Sequence, residues 1–314
     1  MKLSATHKSL IGLLGIITAT VLCLLPFKAV HPTTIFIYSE FNLPSSQELG
    51  LVRELKNLGY RIKLNAKELP PKGTVGLWLK SADVLNEIEK SEADFNFIYH
   101  KDYYPLNWYG HKKLPIILTP YQDLYEHYVR SNVKTALFTL GINTTDFHAD
   151  TKERLYPLVY YGDNNRPSPL ADYLKKQDKV LFLGDFWDNS VARLPQRIGN
   201  NQEKGQLLNQ TQIVAIYTSP IPPLNKMITP ELMQATAAGA LVIANYNPIM
   251  QKIYGDSIVF YRDFNDFAQL TNYFIKNPDI RAKKAMDAQK ITLKNFTVSA
   301  SAKRLHELLT WLKN

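Results

Sequence analysis

The sequence has a single cysteine, Cys23, and its seven histidines are scattered without a His-x3-His or Glu-x2-His pair. One cysteine excludes an intramolecular disulfide and a cysteine-based metal centre. Without paired histidine or glutamate ligands, we also predict no structural metal. Packing of apolar side chains must therefore stabilise the folded state.

The sequence also lacks a cluster of lysines and arginines. Its net charge is +9, and three lysines before residue 30 leave +6 for the rest, spread along the chain. This spacing argues against a nucleic-acid partner and favours a polyphosphate or anionic lipid, or a basic surface without a partner. With 45% hydrophobic and 21% charged residues, the composition is that of a folded protein, and 314 residues suffice for two domains.

Residues 10–27 form eighteen consecutive uncharged, mainly apolar residues, preceded by Lys2 and Lys8. Eighteen residues just span a bilayer core, and positive charge on the short N-terminal side keeps that end cytoplasmic. A cleaved signal peptide is the alternative, but Leu25 to Lys28 give a poor cleavage site. We predict a single-pass anchor over residues 1–29, with the folded part on the exported side, in a cell envelope or secretory lumen.

Short apolar runs then alternate with amphipathic segments, which is typical of parallel sheets covered by helices. In the first half, predicted strands cover residues 33–39, 60–64, 75–79, 95–99, 114–119 and 135–140, and predicted helices run from Ser45 or Ser46 to Gly59, over 82–90 and over 121–130. In the second half, predicted strands cover 156–161, 180–183, 213–218, 241–245 and 257–261, and predicted helices cover 170–176, 230–238 and 299–312.

The polar stretch Asn143 to Glu153 has the composition of a linker. We therefore predict an α/β protein with two Rossmann-like domains and an N-terminal transmembrane helix. Residues 30–142 form the first domain, 143–154 the linker, and 155–314 the second domain together with its C-terminal helix.

The segment TPELMQATAAGALVIAN at 229–245 is followed by YGDSIVFY at 254–261, by 264–277, and by a basic helix at 281–290. These phrases resemble the donor-binding domain of GT-B glycosyltransferases, nearest the family 1 group that includes the spore-maturation-like (CgeB-like) proteins. Three phrases of the first half, FNFIYHKD, LPIILTPYQDLY and FTLGINTTDFHAD, resemble that family in the same order. The resemblance covers about two thirds of the chain and implies a nucleotide-sugar substrate, no further cofactor and no metal.

The resemblance places the donor in the second half. Thr229 is a candidate N-cap and Pro230 suits the first helical position, so this helix would direct its start at the diphosphate. The family's ribose-binding glutamate falls at Gln234, so Glu231 is the substitute from one turn away. Gly162 and Gly184 follow predicted strands. Because Asp185 stands where relatives place a basic residue, Arg193, Arg197 or Lys226 must supply the positive charge.

In the first half, His100 and Asp102 follow the predicted strand 95–99, at the sheet edge where open α/β folds bind ligands. We interpret them as candidate catalytic residues, contacting the sugar or acting as a base on the acceptor. A structural histidine is the alternative for His100. No glycine follows the first strand between Ser39 and Pro44, so this half favours an acceptor over a nucleotide.

The sequence thus predicts a glycosyltransferase that moves a sugar from a nucleotide-sugar donor to a glycan or lipid-linked acceptor at a membrane. A fucosyltransferase-like enzyme is one alternative, because residues 228–244 also resemble that family's "vTEKi" stretch without its Glu-Lys pair. An exported glycan-binding module with a degenerate donor site is the other, favoured by Asp185 and Gln234.

Overall fold

The computed structural model describes residues 33–314, apart from 40–43, 81–83, 102–103, 108–110, 151–152, 166, 195–197 and 220–225. The predicted anchor at residues 1–29 lies outside the described residues. Within the described part, no helix combines the length and apolarity that crossing a bilayer requires. Residues Thr34–Asn314 form one compact unit, which contains two separate sheets.

The first sheet has six parallel strands in the order β2-β1-β3-β4-β5-β6. They are β1 (Thr34–Ser39), β2 (Arg61–Leu64), β3 (Val75–Leu79), β4 (Phe95–Tyr99), β5 (Ile116–Thr119) and β6 (Thr135–Leu137), with helices α1 (Ser46–Asn57), α2 (Leu85–Lys90) and α3 (Gln122–Arg130). The central strands are buried on both faces, which explains their continuous apolar sequences. We call this part the first lobe.

The second lobe has five parallel strands in the order β11-β10-β9-β7-β8. They are β7 (Tyr156–Tyr161), β8 (Val180–Leu183), β9 (Thr211–Ile216), β10 (Leu241–Asn245) and β11 (Val259–Tyr261). Its helices are α4 (Pro169–Leu174), α5 (Asn189–Ala192), α6 (Asn201–Asn209), α7 (Pro230–Ala237), α8 (Pro248–Tyr254), α9 (Phe264–Lys276) and α10 (Pro278–Asn295), and the C-terminal helix α11 (Val298–Lys313) follows them in the chain. The predicted mixed α/β fold with parallel sheets is confirmed.

In both sheets the first strand lies between the second and the third, so the strand order reverses beside it. The reversal falls between β1 and β3 in the first lobe, and between β7 and β9 in the second. Helices leave opposite faces of the sheet at this point, which opens a crevice at the carboxyl ends of the two strands. The fold therefore provides one crevice in each lobe.

Side-chain caps fix where the main helices start. Ser45 caps α1, and Glu48 completes a capping box by accepting from the Ser45 amide at 2.6 Å. Asn200 caps α6 and Thr229 caps α7, each through a side-chain oxygen that accepts a backbone N–H of the first turn. Helices α6 and α8 were not predicted from the sequence, although Asn200 and Asn247 both carry the capping signal.

The C-terminal helix α11 packs on the first lobe, whereas the sequence analysis grouped it with the second domain. Its buried residues Ala302, Leu305 and Leu309 join the apolar cluster that contains strands β1 and β3 and helix α1. An amphipathic sequence specifies a buried face but not which apolar surface will cover it. The chain thus crosses between the lobes twice.

The two crossing segments pair with each other. The Ile142 amide donates to Phe296 at 2.8 Å, and the Val298 amide donates back to Ile142 at 2.9 Å. Gly141 precedes this bridge at φ +77°, where an added Cβ would lie 2.6 Å from the Thr297 carbonyl oxygen. Only glycine combines this backbone angle with such a close approach. Residues 141–142 and 296–298 therefore form a fixed crossing between the lobes.

Replacing Gly141 by alanine is expected to destabilise the protein. The left-handed backbone alone costs about 1–2 kcal/mol for a residue with a side chain, and the clash with Thr297 adds about 1–3 kcal/mol. Gly73→Ala is the matched control, because Gly73 has φ +82° and an added Cβ there meets nothing within 4 Å. Urea unfolding of both variants measures the difference, and equal losses would contradict a packed crossing.

Candidate functional site

A cavity of about 490 Å³ lies between the carboxyl ends of the two sheets. The first lobe contributes residues from α1 and from the ends of β3, β4 and β5: Ser45, Glu48, Leu79, Tyr99, Lys101 and Tyr121. The second contributes residues after β7 and β9 and at the start of α7: Tyr161, Gly162, Asp163, Thr218, Thr229 and Glu231. We call this cavity the cleft.

The start of α7 opens into the cleft. Thr229 accepts a hydrogen bond from the Leu232 amide at 3.3 Å, and Pro230 occupies the first helical position. Both residues line the cleft, as does Glu231 in the first turn. Free backbone N–H groups at a helix start attract anions, and the helix dipole adds to this attraction. This end of the cleft is therefore suited to a negatively charged group.

Gln234 lies one turn further along α7 and is 6% exposed. It accepts a hydrogen bond from the Tyr161 hydroxyl beneath the cleft wall. Burial raises the pKa of Tyr161 well above its usual value, with a further contribution from the Glu231 carboxylate. Gln234 thus supports Tyr161, whereas Glu231 faces the cleft.

The two predicted strand-end glycines lie side by side. An added Cβ on Gly184, at φ +138°, would clash with the Gly162 carbonyl, so the loops after β7 and β8 meet closely here. The Trp187 indole donates to the same carbonyl at 2.7 Å, and the Asp185 amide donates to Asp163 at 2.9 Å. Gly162 lines the cleft, and Gly184 lines an adjoining recess.

Of three further predicted site residues, the structure describes His100 and Arg193. His100 is 2% exposed, with Nε2 at 2.7 Å from the Tyr104 carbonyl and its ring 6.1 Å from that of Tyr128. Arg193 donates to the carbonyls of Gln177 and Lys175. Neither belongs to the cleft wall, whereas Asp102 lies outside the described residues. Their proposed roles in catalysis and donor binding stay predictions.

The described cleft wall carries three carboxylates, Glu48, Asp163 and Glu231, and one lysine, Lys101. The sequence analysis missed Glu48, although its position three residues after Ser45 is the signature of a capping box that fixes it at the start of α1. The described wall therefore has an excess of negative charge, and any compensating positive charge lies outside it.

Tyrosines form much of the rest of the cleft wall. Burial raises the pKa of Tyr99 to about 12. The pKa of Tyr160 is also raised to about 12, chiefly by burial and further by Glu231, Asp163 and Tyr217, against a hydrogen bond to Ser168 at 2.8 Å. These side chains are neutral at physiological pH, and the Tyr160 hydroxyl is already bonded to Ser168, so they contribute mainly apolar ring surface to the wall.

One ion pair joins the lobes beside the cleft. Lys226 Nζ lies 2.7 Å from the Asp123 carboxylate in the first turn of α3. The hydrogen bond to Asp123 raises the pKa of Lys226. This lysine, predicted as a possible phosphate ligand, is therefore already engaged across the lobes. Within the described ranges, no group of three His, Cys, Asp or Glu is placed to hold a metal ion.

Tyr160→Phe should reduce the loss of stability at alkaline pH. Because the folded-state pKa is raised, Tyr160 contributes full stability below its unfolded value of about 10, and this contribution falls as pH rises toward 12. Between pH 8 and pH 11 the wild type is expected to lose about 1 kcal/mol more than the variant. Urea unfolding at both pH values checks this, and an equal loss in both proteins would refute it.

A family model matches most of the second lobe. Residues 167–307 match the family described as "Glycosyl transferase-like", which covers less than half of the chain. The match begins just before α4 and ends within α11. No curated protein sequence matches the chain. The family match therefore contains the start of α7 and the strands around it.

Solved structures resemble the whole two-lobed fold. A glycosyltransferase from Rickettsia africae matches with a TM-score of 0.60 and 14% identity, over 89% of this chain and 98% of that one. Sucrose-phosphate synthase from Thermosynechococcus elongatus gives a TM-score of 0.58 at 11% identity, over 89% and 99%. HepE from Anabaena in complex with UDP gives 0.55 at 14% identity, over 88% and 99%.

At these identities the likeness establishes the fold, which is that of GT-B glycosyltransferases. Together with the family match in the second lobe, it confirms the prediction of a transferase. It also confirms the part of the sequence resemblance that concerns the GT-B class.

Proposed function

We propose that this protein transfers a sugar from a nucleotide-sugar donor to a glycan or lipid-linked acceptor at a membrane. One observation carries the proposal: the start of α7 opens into a cavity between the carboxyl edges of two parallel sheets. This is where α/β folds bind phosphorylated ligands. Within the glycosyltransferase class, we propose that the protein is related to the spore-maturation-like group.

The donor is proposed to occupy the second-lobe side of the cleft. Its diphosphate would meet the backbone N–H groups after Thr229, and Glu231 would accept hydrogen bonds from the ribose hydroxyls. The Anabaena HepE structures, whose fold this chain shares, contain UDP and UDP-glucose. The nucleotide serves as a substrate, and we propose no metal or further cofactor.

The acceptor is proposed to occupy the first-lobe side. Glu48, Lys101 and Tyr121 offer polar atoms there, opposite the start of α7. The apolar run 10–27 would anchor the chain with its N-terminus in the cytoplasm and hold this side near a membrane-bound acceptor. We propose no nucleic-acid partner.

A glycan-binding module that has lost the donor site is the second candidate. The three carboxylates of the cleft wall favour it, because they repel a diphosphate. Gln234 also lacks the charge that the family's ribose ligand has, and its amide oxygen is already bonded to Tyr161.

Calorimetry with the full-length chain in detergent separates the two candidates. We expect one of UDP, GDP or CMP to bind with a micromolar dissociation constant, and the corresponding nucleotide-sugar to be turned over. Binding of a glycan without binding of any nucleotide would exclude the transferase and support the binding module.

Glu231→Ala is expected to weaken nucleotide binding by about tenfold, the value of one charge-assisted hydrogen bond. Inorganic pyrophosphate should bind the variant as tightly as it binds the wild type, because it has no ribose. Glu92→Ala, at an exposed loop position of the first lobe, is the control. Equal weakening for nucleotide and pyrophosphate would show that Glu231 does not contact the ribose.

A further inference from the structure

A nucleoside diphosphate in the cleft faces a shortage of positive charge. The described wall has Glu48, Asp163 and Glu231 against Lys101, which comes from the first lobe. A helix start contributes only about half an elementary charge. Among the residues that the structure describes, a cation from the second lobe would therefore favour donor binding as proposed above.

The cations predicted from the sequence do not meet this need. Arg193 binds the backbone carbonyls of Gln177 and Lys175, away from the cleft wall. Lys226 is paired with Asp123 of the first lobe at 2.7 Å. Arg197 lies outside the described residues. Another basic side chain must be considered.

The recess beside the cleft contains such a side chain. This recess has a volume of about 700 Å³ and lies at the carboxyl end of β8, lined by Gly184, Asp185, Trp187, Asn200, Asn201 and Lys204. Gly162 of the cleft and Gly184 of the recess are in contact, so only the two strand-end loops lie between the recess and the cleft. Asn201 also donates to Ser46 of the first lobe at 3.0 Å, so the recess lies where the lobes meet.

Lys204 connects the recess with the cleft wall. It lies in the first half of α6, and its Nζ is 5.7 Å from the ring centre of Tyr161, which lines the cleft. No carboxylate among the described residues forms an ion pair with Lys204, and its side chain is half-buried. A partly desolvated ammonium group without an anionic partner is suited to bind an anionic ligand.

We propose that Lys204 binds the diphosphate of the donor, reaching it over the Tyr161 ring from the side of the recess. The inference rests on the proposed function and names the residue that supplies the missing charge. The residue directly after β8 and Gly184 is Asp185, so the strand-end loop itself brings negative charge to the recess.

The test measures the binding of UDP, GDP, CDP, the corresponding nucleosides and pyrophosphate to the full-length protein. Lys204→Met keeps the aliphatic stem over Tyr161 and removes the charge. It should weaken the binding of the nucleoside diphosphate and of pyrophosphate by about 10- to 100-fold, and the binding of the nucleoside by less than about threefold. Raising the ionic strength from about 0.05 M to about 0.5 M should weaken the wild type more than the variant.

Two variants serve as controls. Lys204→Arg keeps the charge, and its affinity for the nucleoside diphosphate should stay within about fivefold of the wild type. This variant also keeps the inference testable if the methionine variant misfolds. Lys176→Met removes an exposed lysine of the same lobe and should change affinity less than about twofold. Thermal unfolding of all variants verifies that they are folded.

Three results would overturn the inference. Wild-type affinity in Lys204→Met would show that Lys204 does not contact the diphosphate. Equal weakening of nucleoside and nucleoside diphosphate would assign Lys204 to the nucleoside instead. If the wild type binds no nucleoside diphosphate at all, the proposed function fails and this inference fails with it.

Discussion

The pairing of residues 141–142 with 296–298 is the constraint on which the two-lobed arrangement depends. Each segment leads the chain from one lobe to the other, and the two hydrogen bonds of Ile142 hold them side by side. Because Gly141 has no side chain, the crossing is close enough for α11 to return onto α1 and the first sheet. A single linker would let one lobe rotate freely about it, whereas two paired crossings constrain that rotation.

That arrangement gives the cleft its chemistry. In a parallel sheet all strands end at one edge, and both lobes present this edge, with the reversal of strand order, to the same cavity. Backbone N–H groups at the start of α7 therefore lie opposite Lys101 and Tyr121 of the first lobe. Two substrates bound on the two walls would lie close together, which is the geometry that group transfer needs.

The sequence predicted the strands well because buried parallel strands are continuous apolar runs, as at 75–79 and 241–245. It also predicted the start of α7, since Thr229 and Pro230 form a local signal. It could not assign α11 to a lobe or show that His100 lies against Tyr128, because both depend on contacts between distant segments. Lys204 was missed for the same reason: α6 was not predicted, and its nearness to Tyr161 arises only from the fold.

The proposed donor carries both hydroxyl groups and a diphosphate, and the charges around the cleft suit the two parts differently. Carboxylates such as Glu231 accept hydrogen bonds from sugar and ribose hydroxyls, but they repel a diphosphate over the same short distances. A protein that must bind both parts of one ligand has to separate them in space. Here the carboxylates lie on the open wall of the cleft, and Lys204 lies behind the Tyr161 ring on the side of the recess. Since burial raises the pKa of Tyr161, the ring between these charges stays neutral, and Lys204 must extend past its edge to contact a diphosphate in the cleft.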